Sequence, residues 1–262
     1  METTYTLITG ASGGIGYEMA KIAAGDHHNL VLVARTGEKL ELLAGKLRAA
    51  NKIEVVTIVM DLAEKDGAGK LISLLKEEHL AVDTLVNNAG FGDSGDFAAA
   101  SLQKNLEMIN LNISALTQLT HYCLQNMGKT GRGRILNVAS TAAFMPGPGM
   151  AVYYASKAYV LSFSEALARE VKAKGITVTT LCPGPTGTNF FIAAGLRNSF
   201  LNSLFPKAAA EKVAKAGYHG MIKGKHLVVP GLINKLVISA PRFLPRVILR
   251  NSVYKIHSGR AT

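Results

Sequence analysis

The sequence predicts an α/β fold: a doubly wound, predominantly parallel sheet in a single domain. Two observations carry that prediction. Short runs rich in Val, Ile and Leu recur between helix-length segments, and they are continuously apolar, as expected of strands covered on both faces. Strand and helix patterns alternate along the chain, which makes βαβ units and hence a parallel sheet. No linker, low-complexity tract or internal repeat divides the 262 residues, a length that suits one large domain.

The first run is YTLIT (5–9), and it leads into TGASGGIG (9–16), with Gly10, Gly14 and Gly16 spaced GxxxGxG at a strand-to-helix turn. Glycine lets the backbone approach a pyrophosphate, and the N-terminus of the following helix presents free N–H groups to it. The second run, NLVLVA (29–34), ends in Ala34-Arg35. A dinucleotide fold that prefers NAD usually carries an acid about 20 residues beyond the glycines, whereas an arginine there suits a 2′-phosphate. Arg35 also reads as an ordinary solvated loop residue. IEVVTIVM (53–60), TLVNNA (84–89), RILNVA (134–139), ITVTTLC (176–182) and HLVVP (226–230) complete the strands. In such a sheet ligands bind beyond the carboxyl ends of the strands, so the residues that follow these runs are the candidates.

Composition narrows the rest. Cys123 and Cys182 lie far apart with no CxxC or metal-ligand spacing, which argues against a disulfide framework or structural zinc and for a reducing compartment. METTYTLITG runs straight into a strand pattern, unlike a secretory signal, and no apolar run reaches the roughly 18 to 20 residues that span a bilayer. The expected location is cytoplasmic or cytosol-facing. Residues 1–190 hold 17 Lys/Arg and 17 Asp/Glu, while residues 191–262 hold 12 Lys/Arg and a single acid, Glu211. The whole excess of +11 therefore sits in the last quarter and hints at an anionic partner. No nucleic-acid-binding signature accompanies it, so nucleic acid is not expected as a partner.

The stretch YYASKAY (153–159) places two tyrosines ahead of Lys157. A phenol with a reference pKa of about 10 needs a fixed positive charge nearby to act as an acid at neutral pH. In a helix Tyr153 stands at i to the lysine's i+4, and Tyr154 at i+3 is nearly as close. Spacing alone does not choose between them, and packing on an amphipathic helix would explain both.

With TGASGGIG, Asp61 after the third strand, NNAG at 87–90, Ser140 after the fifth, YxxxK at 153–157 and PG at 183–184, the chain resembles the short-chain dehydrogenase/reductase family. The resemblance covers about residues 3–190, with the motifs in the family's order, and VNNAGFG and LCPGPTGTNF look more narrowly like its DltE-like subgroup. It implies a Rossmann-type fold, NADP(H) as the cofactor, and a catalytic set of Asn112, Ser140, Tyr153 and Lys157. Asn110, close by, leaves the asparagine register open. The family's acid is the first residue of YxxxK, hence Tyr153, which leaves Tyr154 as a packing or pocket-lining neighbour. Cofactor contacts carried over by the resemblance are Gly10, Ser12, Gly14, Ile15, Gly16, Arg35, Asp61, Leu62, Asn88, Ala89, Gly90, Tyr153, Lys157, Pro183, Gly184, Thr186 and Thr188. No metal is expected.

The implied chemistry is hydride transfer between nicotinamide and a carbonyl carbon, with negative charge growing on the carbonyl oxygen. Ser140 would hydrogen-bond that oxygen and Tyr153 would protonate it. Lys157 would lower the phenol's pKa and hold the ribose, and Asn112 would support a water that refills the proton. Residues 190–205 contain four phenylalanines and no acid, in a region (190–225) where the family places its substrate lid; an apolar ketone, aldehyde or matching alcohol fits. The alternative is a nicotinamide-binding regulatory or scaffold protein whose basic extension, 231–262, contacts a partner or membrane.

The resemblance implies a homodimer or homotetramer, as is usual in the family, formed through helices that here would span about 101–127 and 153–173. In PRFLPRVILR (241–250) Arg242, Arg246 and Arg250 recur every four residues, with Phe243, Leu244, Val247 and Ile248 between them, and Pro245 suggests that the helix starts there. Such a segment either packs its apolar stripe on the protein or lies peripherally on a membrane.

Overall fold

The computed structural model describes residues 3–196 and 207–258. Among these residues seven strands form one sheet: β1 Thr4–Thr9, β2 Asn29–Ala34, β3 Val55–Val59, β4 Ala81–Asn87, β5 Gly133–Val138, β6 Ile176–Leu181 and β7 Leu227–Val228. Their spatial order is β3-β2-β1-β4-β5-β6-β7. Every pairing is parallel. The chain builds outward from β1 to β3, then returns to lay β4 on the other side of β1. The crevice at the β1/β4 switch is therefore the expected ligand position.

Both faces of the sheet are covered. On one, Ile8, Leu30, Leu32, Leu136 and Leu181 pack against α1 (Gly14–Gly25), α2 (Gly37–Asn51) and α8 (Ala210–Ile222). On the other, Leu7, Val31, Val33, Leu85 and Ile135 pack against α3 (Gly67–Glu77), α5 (Leu116–Thr130) and the end of α6 (Ala151–Glu170). Successive strand residues point to opposite faces, so a strand covered twice has no polar side to show, which is why these runs are continuously apolar. Each fully buried leucine, isoleucine or valine contributes roughly 1.5 to 3 kcal/mol relative to exposure.

Several boundaries differ from the sequence expectation. β4 starts at Ala81, three residues before the apolar run, because Thr4 Oγ1 donates to Asp83 Oδ2 at 2.7 Å and draws the polar start of the strand into the sheet. β7 is only two residues long and stops before Pro230, which has no N–H for a ladder. The long helix expected over 101–127 is α4 (Leu102–Ile109) and α5 joined through a π-helical turn at Asn110–Ala115.

The lid region expected over 190–225 divides. Its start forms the short α7 (Phe190–Ala193), 197–206 lie outside the described residues, and α8 belongs to the core. Val213, Ala214, Tyr218 and Met221 make a buried stripe on α8. At Gly217 a Cβ would meet Leu181 and Met19 at 2.7 and 2.9 Å, so the glycine permits the helix to sit this close. Beyond β7 the chain forms α9 (Leu232–Ser239) and α10 (Arg246–Ser258), the latter starting directly after Pro245.

Candidate active site

The motif residues gather along one edge of the sheet, at the carboxyl ends of β1 to β6. After β1, Gly10 and Gly14 take φ of +68° and +57°, which side-chain-bearing residues rarely adopt. Gly16 has no room for a side chain: a Cβ there would press on the Asn88 side chain and the Gly10 carbonyl. Asn88 is the clamp. Its Nδ2 donates to the Thr9 carbonyl at 2.9 Å and the Gly10 carbonyl at 3.2 Å, while Thr9 Oγ1 accepts from the backbone N–H of Asn88 and Ala89, each at 3.0 Å. The NNAG turn thus holds the glycine turn across the β1/β4 crevice.

That cradle fits a dinucleotide. No side chain among the described residues caps the start of α1, so its first N–H groups are available to an anion. The half-buried Ser12 and exposed Gly13 lie on the turn, with nothing within 4 Å of a Cβ built on Gly13, and Ile15 packs inward on the core. Thr188, beyond β6, closes the other side: its methyl lies 2.8 Å from where a Gly14 Cβ would stand.

At the ends of β2 and β3, Arg35 and Asp61 form an ion pair, with Nη1 3.5 Å from Oδ2 and side chains 70% and 34% exposed. Asp61 Oδ1 also accepts from Ala63 N–H at 2.9 Å, and Leu62 is buried beneath. The arginine is reachable from solvent and already rests on an acid that the resemblance counts among the cofactor contacts.

α6 carries the YxxxK pair. Its buried stripe runs through Tyr153, Ser156, Lys157, Val160, Leu161, Ser164 and Ala168, so Tyr153 and Lys157 share the inward face. Lys157 Nζ donates to the Val138 carbonyl at 2.9 Å and lies 5.9 Å from the centre of the Tyr153 ring. Burial pushes the Tyr153 phenol up to about 12, with a hydrogen bond from Ser140 pulling the other way. Burial also lowers Lys157 to about 8. The expected lowering of the phenol by lysine is therefore not what dominates: the ammonium loses its proton before the phenol would ionise. Ser140 begins a 3-10 turn, its Oγ accepting from Ala142 N–H at 3.1 Å.

Tyr154 points elsewhere. Its hydroxyl lies 2.9 Å from His257 Nε2 on α10, its ring meets the imidazole edge to face, and it lies so close over Gly147 that a side chain there would collide with it.

Asn112, in the π-helical turn, reaches this site, whereas Asn110 turns to the Ala63 carbonyl. Asn112 Nδ2 donates to the Phe91 carbonyl and to Ser156 Oγ, both at 3.0 Å, and Oδ1 accepts from Phe91 N–H at 3.2 Å. With both amide hydrogens taken, a water at this position would meet Oδ1 or the main chain. Gly90 sits between the two functional groups: a Cβ there would lie 2.9 Å from Asn112 Oδ1 and 3.3 Å from Lys157 Nζ.

Past β6, Pro183 accepts from Thr141 N–H at 2.9 Å, and Thr186 Oγ1 donates to the Gly184 carbonyl at 2.9 Å. Asn234 of α9 is wedged against Gly184, where any Cβ would collide with it, and Nδ2 donates to the Pro230 carbonyl at 2.6 Å. Sequence reasoning missed Phe91, Ser156, Asn234 and His257. Asn234 and His257 come from helices more than 40 residues further along the chain, and no spacing rule connects them.

One side of Tyr153 is apolar. Met108, Met150, Phe191, Ala194 and Leu196 pack there, and the Phe190 ring centre lies 5.1 Å from that of Tyr153.

Known proteins are similar to this chain in sequence and fold. A family model described as short chain dehydrogenase matches residues 4–199. A very-long-chain 3-oxoacyl-CoA reductase of Anas platyrhynchos is 35% identical over 183 residues, which are 68% of this chain and 58% of that protein, so the chain spans less than two thirds of that relative. Sulfoacetaldehyde reductase 2 of Chromohalobacter salexigens is 37% identical over 186 residues, covering 70% of this chain and 73% of its own. Among solved structures, a short-chain dehydrogenase from Sphingobium yanoikuyae in complex with NADPH superimposes with a TM-score of 0.82 at 29% identity, covering 99% of this chain and 98% of that one. The bulky-bulky ketone specific alcohol dehydrogenase from Comamonas testosteroni gives 0.78 at 28% identity, covering 100% and 98%. By the family model, by the level of identity to these relatives and by a seven-stranded Rossmann-type sheet, the chain belongs to the short-chain dehydrogenase family.

Proposed function

We propose that the protein transfers hydride between NADP(H) and an apolar ketone or aldehyde, or the matching alcohol. The observation that carries this reading is the placement of Tyr153, which shares its buried helix face with Lys157, bonds to Ser140 and is walled by Phe190, Phe191 and Met150. A proton donor set in such a wall suits a carbonyl on an apolar body. The cofactor half rests on Arg35, exposed at the end of β2 where Ala34 stands in place of an acid. The NADPH named with the Sphingobium structure and the bulky ketone named with the Comamonas enzyme point the same way. The likeness of VNNAGFG and LCPGPTGTNF to the DltE-like subgroup belongs to this proposal too, as does a reducing, cytosol-facing location, which suits two buried free thiols, Cys123 and Cys182.

When bound, a reduced nicotinamide supplies the hydride that reaches the carbonyl carbon. The chain's own residues do the rest. Ser140 hydrogen-bonds the carbonyl oxygen as charge grows on it, and Tyr153 gives that oxygen its phenolic proton. Lys157, held by the Val138 carbonyl, places a positive charge beside the forming phenolate. Asn112 acts by position: it braces the turn at Gly90 and Phe91 against Lys157. The aromatic wall excludes water from the reacting oxygen. Assembly as a dimer or tetramer is part of the same proposal, and Leu102 and Leu106, exposed on α4, supply apolar surface for it.

The test is turnover. NADPH and NADH are each offered with bulky hydrophobic ketones, a long-chain 3-oxoacyl thioester and sulfoacetaldehyde as a small anionic comparator. Consumption of NADPH with the apolar carbonyls supports the reading. Turnover of sulfoacetaldehyde alone would overturn the substrate class. Binding of NADPH without any turnover would favour the scaffold alternative.

A further inference from the structure

Of the last two helices of the described chain, α10 packs through one apolar set and leaves another outside, and α9 buries none of its residues. α10 is docked through Leu249 and Val253, both buried, and through the hydrogen bond between His257 and Tyr154. Of the apolar residues between Arg246 and Arg250 only Leu249 packs: Val247 is 56% exposed, Ile248 is exposed beside it, and Phe243, just ahead of the helix, is 83% exposed. On α9, Leu232 and Leu236, one turn apart, are 78% and 73% exposed. A surface helix ordinarily spends its apolar stripe on the core. On α10 that stripe is spent at Leu249 and Val253, and the large apolar side chains of α9 and of Phe243 remain exposed, as on interaction surfaces.

The charge carried by these two helices has one sign. Lys235, Arg242, Arg246 and Arg250 are all exposed, and among the described residues they make no ion pair. Glu211 is the single acid after residue 190. A second copy laid symmetrically on this face would set arginine against arginine with no acid to compensate. Nucleic acid would satisfy the arginines and leave Leu232, Leu236 and Phe243 in water. A bilayer with anionic headgroups meets both demands: phosphate and carboxylate groups for the cations, and the acyl boundary for the apolar side chains. No helix of the described residues is long and apolar enough to cross a membrane, so the helices would lie in the interface.

We infer that α9 and α10 form a docking face for an anionic lipid surface, with Leu232, Leu236 and Phe243 entering it and Arg242, Arg246 and Arg250 binding headgroups. On the carbonyl-reductase reading, the docked helix would bring the Tyr154 side of the active site to substrates dissolved in lipid. The docking itself is tested without turnover, so its failure and that of the catalytic reading are separable.

The experiment is co-sedimentation of the full chain with vesicles of phosphatidylcholine alone and of a phosphatidylcholine–phosphatidylserine mixture. Wild type should bind the mixed vesicles, bind pure phosphatidylcholine much more weakly, and release as salt is raised. Changing Arg242, Arg246 and Arg250 together to Gln should weaken binding by about a hundredfold, at about 1 kcal/mol per charge. Changing Leu232, Leu236 and Phe243 to Ser should weaken it comparably, and these exposed sites should leave the melting temperature unchanged. Changing Lys39, Lys46 and Lys129 to Gln removes the same charge from helices elsewhere and should leave binding near wild type. Equal binding to both vesicle types, no binding to the mixed vesicles at low salt, or an equal loss from both charge triples would overturn the inference. A dimer that the Leu232, Leu236 and Phe243 changes dissociate, with no vesicle binding, would assign the face to a second copy instead.

Discussion

The Tyr154 hydroxyl lies 2.9 Å from His257 Nε2, while the adjacent Tyr153 turns inward to Ser140. Two neighbouring phenols are thereby given different tasks by the two sides of one helix. Tyr153→Phe should lower kcat by roughly 10² to 10⁴-fold with NADPH binding largely intact, the usual contribution of a general acid. Tyr154→Phe should leave kcat within a few-fold and cost about 1 kcal/mol of stability, since it removes one hydrogen bond to the last helix. Steady-state kinetics beside thermal melts distinguish the two. A larger loss of kcat from Tyr154→Phe in a folded protein would reverse the assignment.

Arg35 is the second point of test. The Arg35–Asp61 pair is exposed and so contributes at most about 1 kcal/mol to folding. Arg35→Ala should leave stability nearly unchanged while weakening NADPH binding about ten- to a hundredfold, the range for a charge-assisted contact with a phosphate. NADH affinity should move little. Equal wild-type Kd values for the two cofactors would remove the preference for NADP(H).

Glycines of the first turn differ sharply in what they tolerate. Gly13 has an extended backbone and open space around a built Cβ, so Gly13→Ala should be neutral within about 0.5 kcal/mol. Gly16→Ala forces a methyl into Asn88 and the Gly10 carbonyl, and should destabilise by roughly 1 to 3 kcal/mol while weakening cofactor binding. Melting curves with and without NADPH read both effects. Tolerance of Gly16→Ala would contradict the Asn88 clamp.

The site should respond to alkaline pH through Lys157. Its folded pKa is lowered by burial to about 8, so the ammonium is present below that value and lost as pH rises through it. Tyr153, pushed up to about 12, stays protonated over the same range. The kcat/KM for NADPH in carbonyl reduction, which reports the free enzyme, should therefore be flat below about pH 8 and fall about tenfold per unit above it. A profile that stays flat up to the range of an ordinary lysine, about 10.4, would show that the buried ammonium is not required or not perturbed.

Much of this protein was legible in one dimension because its determinants are local. The apolar runs revealed a sheet buried on both faces, since a strand's own side chains report what covers it. β2 falls on residues 29–34 as the run NLVLVA indicates, whereas β4 hid its start behind Asp83, whose partner Thr4 is 79 residues away. Gly10, Gly14 and Gly16 announced a tight approach of backbone because φ and steric room are properties of a few consecutive residues. YxxxK placed a phenol and an amine on one helix face for the same reason, yet it could not say which tyrosine faced inward from spacing alone.

The tertiary structure decided what depends on distant chain segments. Asn112 rather than Asn110 reaches the site because a π-helical turn rotates it toward Phe91 and Ser156. Asn234 braces Gly184, and His257 holds Tyr154 across 103 residues of sequence. The basic tail shows the division most plainly. Its alternation of arginines and apolar residues was readable from the sequence, but the helix packs through Leu249 and Val253 and leaves Val247, and Phe243 ahead of it, outside. Local spacing determines which residues share a face, whereas only the packed fold determines which face is buried, because that choice minimises exposed apolar area over the whole chain and not over one helix.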